Sequence, residues 1–151
     1  MKIYIGRHGL ANSTSIDPEA SLCEQGKLET SSIAKILCLN TLGIKQIYHS
    51  EKKRAKQTAE IIASYLHVTC ITNPLLNPSN SVEPLLSSLE DQTLYIGHLP
   101  NIEDLISKLI LNMLTSLIIF NPSTIACLEK IQNNWLISWV ICPNLVRNYD
   151  S

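Results

Sequence analysis

Short strand-like runs alternate with longer helical patterns along most of this chain of 151 residues, and this alternation constrains the fold most. The strand-like runs are compact and rich in apolar residues, and they cover 3–5, 45–49, 68–72 and 93–97. Helical spacing is expected between and after them, at about 23–39, 52–66, 82–89 and 102–113. Because such alternation is typical of a sheet covered by helices on both faces, we predict an α/β fold, a three-layer α/β/α sandwich.

The C-terminal part of the sequence has a different pattern. Residues 124–131 and 135–141 alternate like strands, and Gln132, Asn133 and Asn134 separate them. This arrangement predicts a β-hairpin that closes the sheet at one edge. Since no repeat or linker interrupts the chain and its length fits one domain, we expect a single domain over residues 1–151, without a large inserted cap.

Composition and charge exclude several classes of function. Hydrophobic residues make up 45% of the chain and charged residues 17%, which is typical of a globular protein and not of a disordered one. The formal net charge of −1 gives no general attraction to nucleic acid or to an anionic membrane. The apolar tract at 109–120 is too short to span a bilayer, and no signal-peptide pattern precedes the first strand. We therefore expect a cytoplasmic protein.

The cysteines also favour a cytoplasmic protein. They are scattered, odd in number and never spaced as C-x-x-C, at Cys23, Cys38, Cys70, Cys127 and Cys142. This usage predicts small buried thiols in a reducing environment, and neither a disulfide framework nor a zinc site.

Cationic and imidazole side chains recur where strands end. His8 and His98 each follow a strand-like run, Arg7 precedes His8, and Arg54 falls in the first turn of a predicted helix. In open α/β sheets, ligands bind at the carboxyl ends of the strands. Guanidinium groups match phosphate oxygens, and the first turn of a helix favours an anion. The sequence therefore predicts a site for a phosphoryl group.

Covalent chemistry would suit this set of residues. A neutral imidazole can attack phosphorus, and a second imidazole, if protonated, can donate to the charge on the equatorial oxygens. Because the arginines would neutralise the phosphate, no metal or other cofactor is expected. Gly9 is expected to turn the backbone sharply after the first strand, since glycine tolerates a positive φ.

Four motifs give the chain a family resemblance. They are Arg7-His8-Gly9, the Leu22-x-x-x-Gly26 spacing, Ser50-x-x-x-Arg54-Ala55-x-Gln57-Thr58-Ala59, and Gly97-His98. In this order they resemble the hallmarks of the histidine phosphatase superfamily, whose fold is phosphoglycerate mutase-like. The small size, the segment 97–101 and the ending 123–145 are similar to the SixA phosphohistidine phosphatase branch, which lacks the large cap of many relatives.

The resemblance implies roles for individual residues. His8 would be the nucleophile that becomes phosphohistidine, and Arg7, Arg54 and His98 would complete a positive, substrate-binding pocket. Ser50 and Gln57 would cap and brace the helix of Arg54. His49 and His67 match no family position, and we expect them at a strand end and a helix terminus.

Some positions depart from the family pattern. Many members carry a carboxylate general acid after the second arginine, and here the loop 76–84 offers only Glu83. Glu83 is therefore a possible general acid, or a solvent-facing residue in the first turn of a helix. Leu10 replaces a polar residue and Glu51 replaces a proline, which could alter the rim of the pocket. Lysines near Arg54 could attract a phosphorylated protein or form a solvated helix face.

These features predict a phosphatase that acts on phosphohistidine in a signalling protein, such as a histidine phosphotransfer domain. A phosphoramidate needs less help from an acid than an alkoxide does, so the weak or missing acid fits this substrate. One alternative is a phosphatase for a small phosphomonoester or phosphoanhydride. A second alternative is a non-catalytic module that binds a phosphorylated protein, although a binder would not need an unblocked nucleophile. A mutase is disfavoured because there is no cap to retain an intermediate.

Overall fold

The computed structural model describes residues 1–146, so the last five residues of the predicted domain, 147–151, lie outside the described residues. The strands are β1 (Lys2–Arg7), β2 (Gln46–His49), β3 (Thr69–Thr72), β4 (Thr93–Gly97), β5 (Ile125–Ile131) and β6 (Asn134–Ile141). The α-helices are α1 (Glu24–Leu39), α2 (Lys53–Leu66), α3 (Glu83–Leu86) and α4 (Asn101–Leu111). Within residues 1–146, none of the helices combines the length and apolar character that a membrane span requires.

A single mixed sheet forms the middle layer, with the strand order β3-β2-β4-β1-β5-β6. The first four strands in this order run parallel, and β5 and β6 form an antiparallel hairpin at one edge. The predicted α/β fold and its terminal hairpin are thus confirmed. In the parallel registers Arg7 lies opposite Gly97, and His49 lies opposite Ile96. The carboxyl ends of β1, β2 and β4 therefore meet at one edge of the sheet.

Two apolar cores cover the two faces of the sheet. One contains residues of α1 and α2, including Ile33, Leu37 and Ile62, and the other contains residues of α3 and α4, including Leu85 and Ile102. The strands between them supply fully buried side chains to both cores. This burial on both faces explains why the central strands read as continuous apolar runs in the sequence.

Some predicted element ends were wrong. α4 ends at Leu111 because Asn112 adopts a left-handed conformation, with φ of 54°, so Met113 lies beyond the helix and is 54% exposed. α4 begins at Asn101, directly after Pro100 and one residue before the expected start. α3 has four residues, and it is shorter than the helix expected over 82–89.

The cysteines are free thiols, but their burial differs from the prediction. Cys127 is buried in β5, Cys38 is exposed on α1, and the other three are partly exposed. Cys38 follows the buried Leu37 on α1, where the helical period turns its side chain toward solvent.

Close packing, and not a positive φ, explains why position 9 is a glycine. Among the described glycines only Gly43 has a positive φ. The expectation that Gly9 turns the chain through a positive φ was therefore wrong. A Cβ atom on Gly9 would lie 2.6 Å from the Thr30 hydroxyl oxygen and 3.1 Å from the Ser123 hydroxyl oxygen. Gly9 therefore lets the chain after β1 pass close to α1 and to the segment before β5.

A second close approach accounts for the Leu22-x-x-x-Gly26 spacing. Leu22 forms a bridge with Ala11, and the Cys23 amide donates to the Leu10 carbonyl oxygen at 3.1 Å. Gly26 then meets the same backbone, because a Cβ atom there would lie 2.0 Å from the Leu10 oxygen. The start of α1 is thus pressed against the chain that follows His8.

The Gly26→Ala variant should be strongly destabilised. Its new methyl group would overlap a backbone oxygen that cannot move without shifting the loop after His8, and we expect a loss of about 2–4 kcal/mol in the free energy of unfolding. Urea denaturation measures this loss. Leu28→Ala, on the exposed face of the same helix, is the control and should change stability by about 0.5 kcal/mol or less. Equal stability of G26A and the wild type would contradict this account of the spacing.

Candidate active site

Three elements bring four predicted residues to one place. β1 ends at Arg7 and leads into His8, β4 leads into His98, and Arg54 is the second residue of α2. The His8 amide donates to the Gly97 carbonyl oxygen at 3.1 Å, which continues the pairing of β1 with β4. As a result, the ring centroids of His8 and His98 are 4.9 Å apart.

The imidazole of His8 is held so that one of its nitrogens carries no proton and can act as a nucleophile. Its Nδ1 lies 2.7 Å from the Gly9 carbonyl oxygen, and because a carbonyl only accepts, Nδ1 carries the proton. Nε2 therefore has a lone pair, and the Nε of Arg54 donates to it at 3.3 Å. Burial, opposed by the hydrogen bond to Gly9 and reinforced by the charges of Arg54 and Arg7, lowers the pKa of His8 to about 4. His8 is thus a neutral imidazole at physiological pH.

The two arginines supply concentrated positive charge. The Nη1 of Arg7 donates to the Phe120 carbonyl oxygen at 2.8 Å, while its buried Nε has no partner within the described residues. Burial lowers the pKa of both guanidinium groups, and the charge of Arg54 lowers that of Arg7 further. Glu103, in the first turn of α4, acts in the opposite direction on the pKa of Arg7. An anion between these groups would relieve their unfavourable burial.

His98 is 2% exposed and contacts the side chain of Ser50, which directly follows β2. Its Nε2 lies 2.6 Å from the Oγ of Ser50, and its buried Nδ1 has no partner in residues 1–146. Burial, followed by the charges of His8 and Arg54, lowers the pKa of His98 to about 3. The sequence allows a second imidazole that donates if it is protonated, but the resting His98 is neutral because its surroundings disfavour a further cation.

Buried hydroxyl groups support the chain that follows His8. The Gly9 amide donates to the Thr58 Oγ1 at 2.9 Å, and that hydroxyl donates to the Arg54 carbonyl oxygen at 2.7 Å. Thr30 and Ser123 lie 2.8 Å apart through their hydroxyl oxygens beside Gly9. Sequence reasoning gave these three hydroxyl groups no role. Thr58 stands in a motif, but nothing in the sequence relates Thr30 to Ser123.

Ser50 and Gln57 have structural contacts that differ from the predicted ones. Lys52 is the N-cap residue of α2, and its amide donates to the Ser50 Oγ at 3.2 Å. Ser50 lies too early in the chain to cap the helix and instead contacts His98. The Oε1 of Gln57 accepts from the Leu22 amide at 2.7 Å, which ties α2 to the loop before α1.

The two remaining histidines lie apart from this cluster in their contacts. His49 ends β2, is buried, and its Nδ1 lies 2.8 Å from the Ser50 carbonyl oxygen. His67 follows α2 as its left-handed C-cap residue, with φ of 55°. Both occupy the predicted strand end and helix terminus.

Glu83 is not among the contacts of the four site residues. It is the first residue of α3, its side chain is 62% exposed, and its carboxylate forms an ion pair with Lys108 at 3.3 Å. Lys108 lies in the last turn of α4, whereas the first turn of that helix follows His98. Asn101 and Lys108 are seven positions apart, which is a rise of about 10 Å along the helix axis. Glu83 thus faces the far end of α4.

A groove of about 750 Å³ adjoins Arg54. Its walls include the predicted basic residues and three carboxylates, namely Lys52, Lys53, Arg54, Lys56, Glu19, Glu51 and Glu60. Lys53 pairs with Glu19 at 2.7 Å and Lys56 with Glu60 at 3.9 Å, so part of the positive charge is compensated. In the described part of the chain, no three His, Cys, Asp or Glu side chains are grouped as metal ligands.

The two departures at the rim have distinct consequences. Leu10 is 40% exposed and lines a small cleft with Asn121 and Pro122. The Glu51 amide donates to the Asn77 Oδ1 at 2.9 Å, and the Asn77 amide group donates back to the Glu51 carboxylate. A proline at position 51 would lack this backbone donor, so Glu51 adds a link between the start of α2 and the loop after β3.

The sequence and the structure of this chain are similar to those of known proteins. A sequence profile of the histidine phosphatase superfamily (branch 1) matches residues 3–80, which include Arg7, His8 and Arg54. A search of curated proteins finds no significant match. The protein histidine phosphatase SixA complexed with tungstate is similar in structure, with a TM-score of 0.84, 26% identity, and coverage of 96% of this chain and 99% of that chain.

Two more distant structures share the fold. A candidate SixA phosphohistidine phosphatase from Agrobacterium tumefaciens has a TM-score of 0.75 at 19% identity, over 93% of this chain and 97% of its own. A mycobacterial glucosyl-3-phosphoglycerate phosphatase has a TM-score of 0.72 at 12% identity, over 91% and 97%. The phosphoglycerate mutase-like fold expected from the motifs is thus confirmed.

The two depressed histidine pKa values predict a pH dependence of stability. Both folded values, about 4 for His8 and about 3 for His98, lie below the ordinary value of 6.5, so the unfolded chain binds more protons as pH falls. The free energy of unfolding should therefore decrease by about 5 kcal/mol between pH 6.5 and pH 4, with about half of the loss from each histidine. Urea denaturation across this range measures the slope, and His98→Asn should reduce it. A flat profile in the wild type would contradict the neutral resting state.

Proposed function

The chain belongs to the histidine phosphatase superfamily, and we propose that it hydrolyses phosphohistidine on a signalling protein, such as a histidine phosphotransfer domain. The observation that carries this proposal is the geometry of His8, whose Nε2 carries a lone pair and faces Arg54 while Gly9 holds Nδ1. Arg54 donates to this nitrogen, the centroid of the His98 ring lies 4.9 Å from that of His8, and the charge of Arg7 acts on the same imidazole. A site of this kind suits covalent transfer of a phosphoryl group.

The first step forms a phosphohistidine on the enzyme. His8 Nε2 attacks phosphorus, and the P–N bond of the substrate breaks. The other ring nitrogen of the substrate histidine carries a proton, so the electron pair of the broken bond stays on a leaving group that is a neutral imidazole. Arg7 and Arg54 hold the oxygens of the phosphoryl group and compensate their charge. The Gly9 carbonyl accepts from Nδ1–H throughout, which stabilises the positive charge that develops on the His8 ring. Water then attacks phosphorus, His8 Nε2 leaves with its electron pair, and phosphate is released.

The choice of phosphohistidine over an ester rests on the leaving group. An alkoxide requires protonation by an acid as it departs, whereas an imidazole departs with less help. In residues 1–146 no carboxylate forms a hydrogen bond or ion pair with His8, His98 or Arg54, and Glu83 is bound to Lys108. The site therefore fits a substrate whose leaving group needs little assistance. The groove beside Arg54 leaves room for the protein that carries it.

A small phosphomonoester is the second candidate substrate, and one observation favours it. The charge of Glu103 acts on Arg7, so a carboxylate does lie near one wall of the site. Glu103 would then take the role that the sequence assigned to Glu83. A module that only binds phosphoproteins is the weaker candidate, because it would gain nothing from a lone pair on His8 Nε2. For each candidate we propose a single cap-free domain in the cytoplasm that uses no cofactor.

His8→Ala should lower the rate of phosphate release by at least about four orders of magnitude, because it removes the attacking nitrogen. The fold should persist, since the backbone hydrogen bonds of residue 8 to Gly97 and Ser123 do not use the side chain. Malachite-green detection of phosphate measures the rate, and ³¹P NMR of quenched wild-type enzyme should show phosphohistidine. His67→Asn is the control and should keep wild-type turnover. Substantial activity in H8A would exclude this nucleophile.

Comparison of substrates separates the two candidates. A phosphorylated histidine phosphotransfer domain should be hydrolysed with a kcat/KM at least about 100-fold above that of small phosphomonoesters, because only the esters need an acid. Glu83→Gln should leave both values within about twofold. The opposite preference, together with a loss in Glu103→Gln, would establish the esterase and refute the phosphohistidine proposal.

A further inference from the structure

The hydroxyl group of Ser50 has more contacts than a cap or a brace requires. Ser50 is fully buried, and its Oγ lies 3.2 Å from the Lys52 amide nitrogen and 2.6 Å from the Nε2 of His98. The Lys52 N–H can only donate, so Ser50 receives that hydrogen bond. The hydroxyl proton of Ser50 must then find an acceptor of its own. Among the described contacts, His98 Nε2 is the acceptor that remains.

We infer that Ser50 fixes the tautomer of His98, so that Nε2 accepts from Ser50 and Nδ1 carries the proton that is donated to the phosphoryl group. Ser50 is thus a positioning residue that acts through His98. This inference rests on the proposed function for the identity of the acceptor, but the tautomer itself is a property of the resting protein.

Counting the buried polar groups supports this assignment. If Nε2 carried the proton, it would donate to Ser50, and both the Ser50 hydroxyl proton and the bare Nδ1 would lack partners. With the proton on Nδ1, one group lacks a partner, and that group is a donor on a ring whose centroid lies 4.9 Å from that of His8. Since unsatisfied buried groups are costly, the second arrangement is favoured. It also leaves the donor where an anionic ligand would satisfy it.

Because His98 is neutral at rest, its tautomer decides which of its two ring nitrogens can donate a hydrogen bond. A protonated imidazole donates from both nitrogens, so its tautomer would not matter. Burial and the neighbouring cations keep His98 neutral at rest, with a pKa of about 3, so one nitrogen donates. A wrong tautomer would present a lone pair to a phosphoryl oxygen, and repulsion would replace a hydrogen bond. Ser50 thereby allows an uncharged imidazole to serve as a donor in a site that already holds two guanidinium groups.

The ¹⁵N NMR spectrum of imidazole-labelled protein at pH 7 tests the inference without any substrate. A protonated and a bare ring nitrogen differ widely in chemical shift, and the His98→Asn variant identifies the signals of His98 by their loss. We expect a protonated Nδ1 and a bare Nε2 in the wild type. Orthovanadate should shift the Nδ1 signal, because Nδ1–H gains an acceptor. A protonated Nε2, or an Nδ1 signal that does not respond to orthovanadate, would overturn the inference.

Substitution at position 50 supplies the second measurement. Ser50→Ala should move His98 toward the Nε2–H tautomer and lower kcat by about 10- to 100-fold, whereas Ser50→Thr, which keeps a hydroxyl, should retain the wild-type tautomer. Ser107→Ala is the matched control, because Ser107 is equally buried and also accepts from a backbone amide, but belongs to α4. An unchanged tautomer in S50A, or an equal loss of kcat in S107A, would overturn the role of Ser50.

Two outcomes distinguish this inference from the proposed function. If the tautomer is as expected but no phosphorylated compound is hydrolysed, the proposed function fails and the role of Ser50 in setting the tautomer stands. If phosphohistidine is hydrolysed while His98 carries its proton on Nε2, the function stands and the inference fails. Should S50A lose its fold, the wild-type spectrum still decides, because it requires no substitution at position 50.

Discussion

The parallel pairing of β1 with β4 is the interaction on which the site depends. Its register sets Arg7 opposite Gly97, and the His8 amide extends the ladder by one further hydrogen bond to the Gly97 carbonyl oxygen. Because a shift of one residue would turn every side chain of β1 to the other face, the two buried cores hold this register. The contact between the two imidazole rings therefore follows from the burial of apolar side chains some distance away.

Tight packing of the backbone after β1 fixes the positions of the reactive groups relative to the sheet. Gly9 and Gly26 let the chain after β1 lie against α1. The Thr58 hydroxyl accepts from the Gly9 amide, and the hydroxyl groups of Thr30 and Ser123 pack beside Gly9, all without adding charge. The neutral hydroxyl groups matter because the pocket already contains two buried guanidinium groups. Their charge and the low solvation keep both histidines unprotonated, which leaves one as a nucleophile and the other as a neutral donor.

The local patterns of the sequence predicted the elements well. Apolar runs and helical spacing located the strands and helices that the structure shows, since burial imposes its period directly on the residues. Local signals were less reliable at element ends. Ser50 has the side chain of a cap but stands two residues before the N-cap of α2, and Gly9 has the residue type of a turn without a positive φ. In both cases the residue type is required by a contact with a segment that is distant in sequence, His98 for Ser50 and Thr30 for Gly9. A contact of this kind gives no signal in the local sequence.

The sequence by itself determined the alternation of elements, the strand ends that carry Arg7, His8 and His98, and the position of Arg54 in the first turn of a helix. These follow from residue types and spacing, which act within one segment. Only the tertiary structure decided that Ser50 meets His98, that Glu83 pairs with Lys108, and that both site histidines are neutral. Hydrogen bonds, ion pairs and desolvation depend on which segments come together, and that is set by the packing of the whole chain.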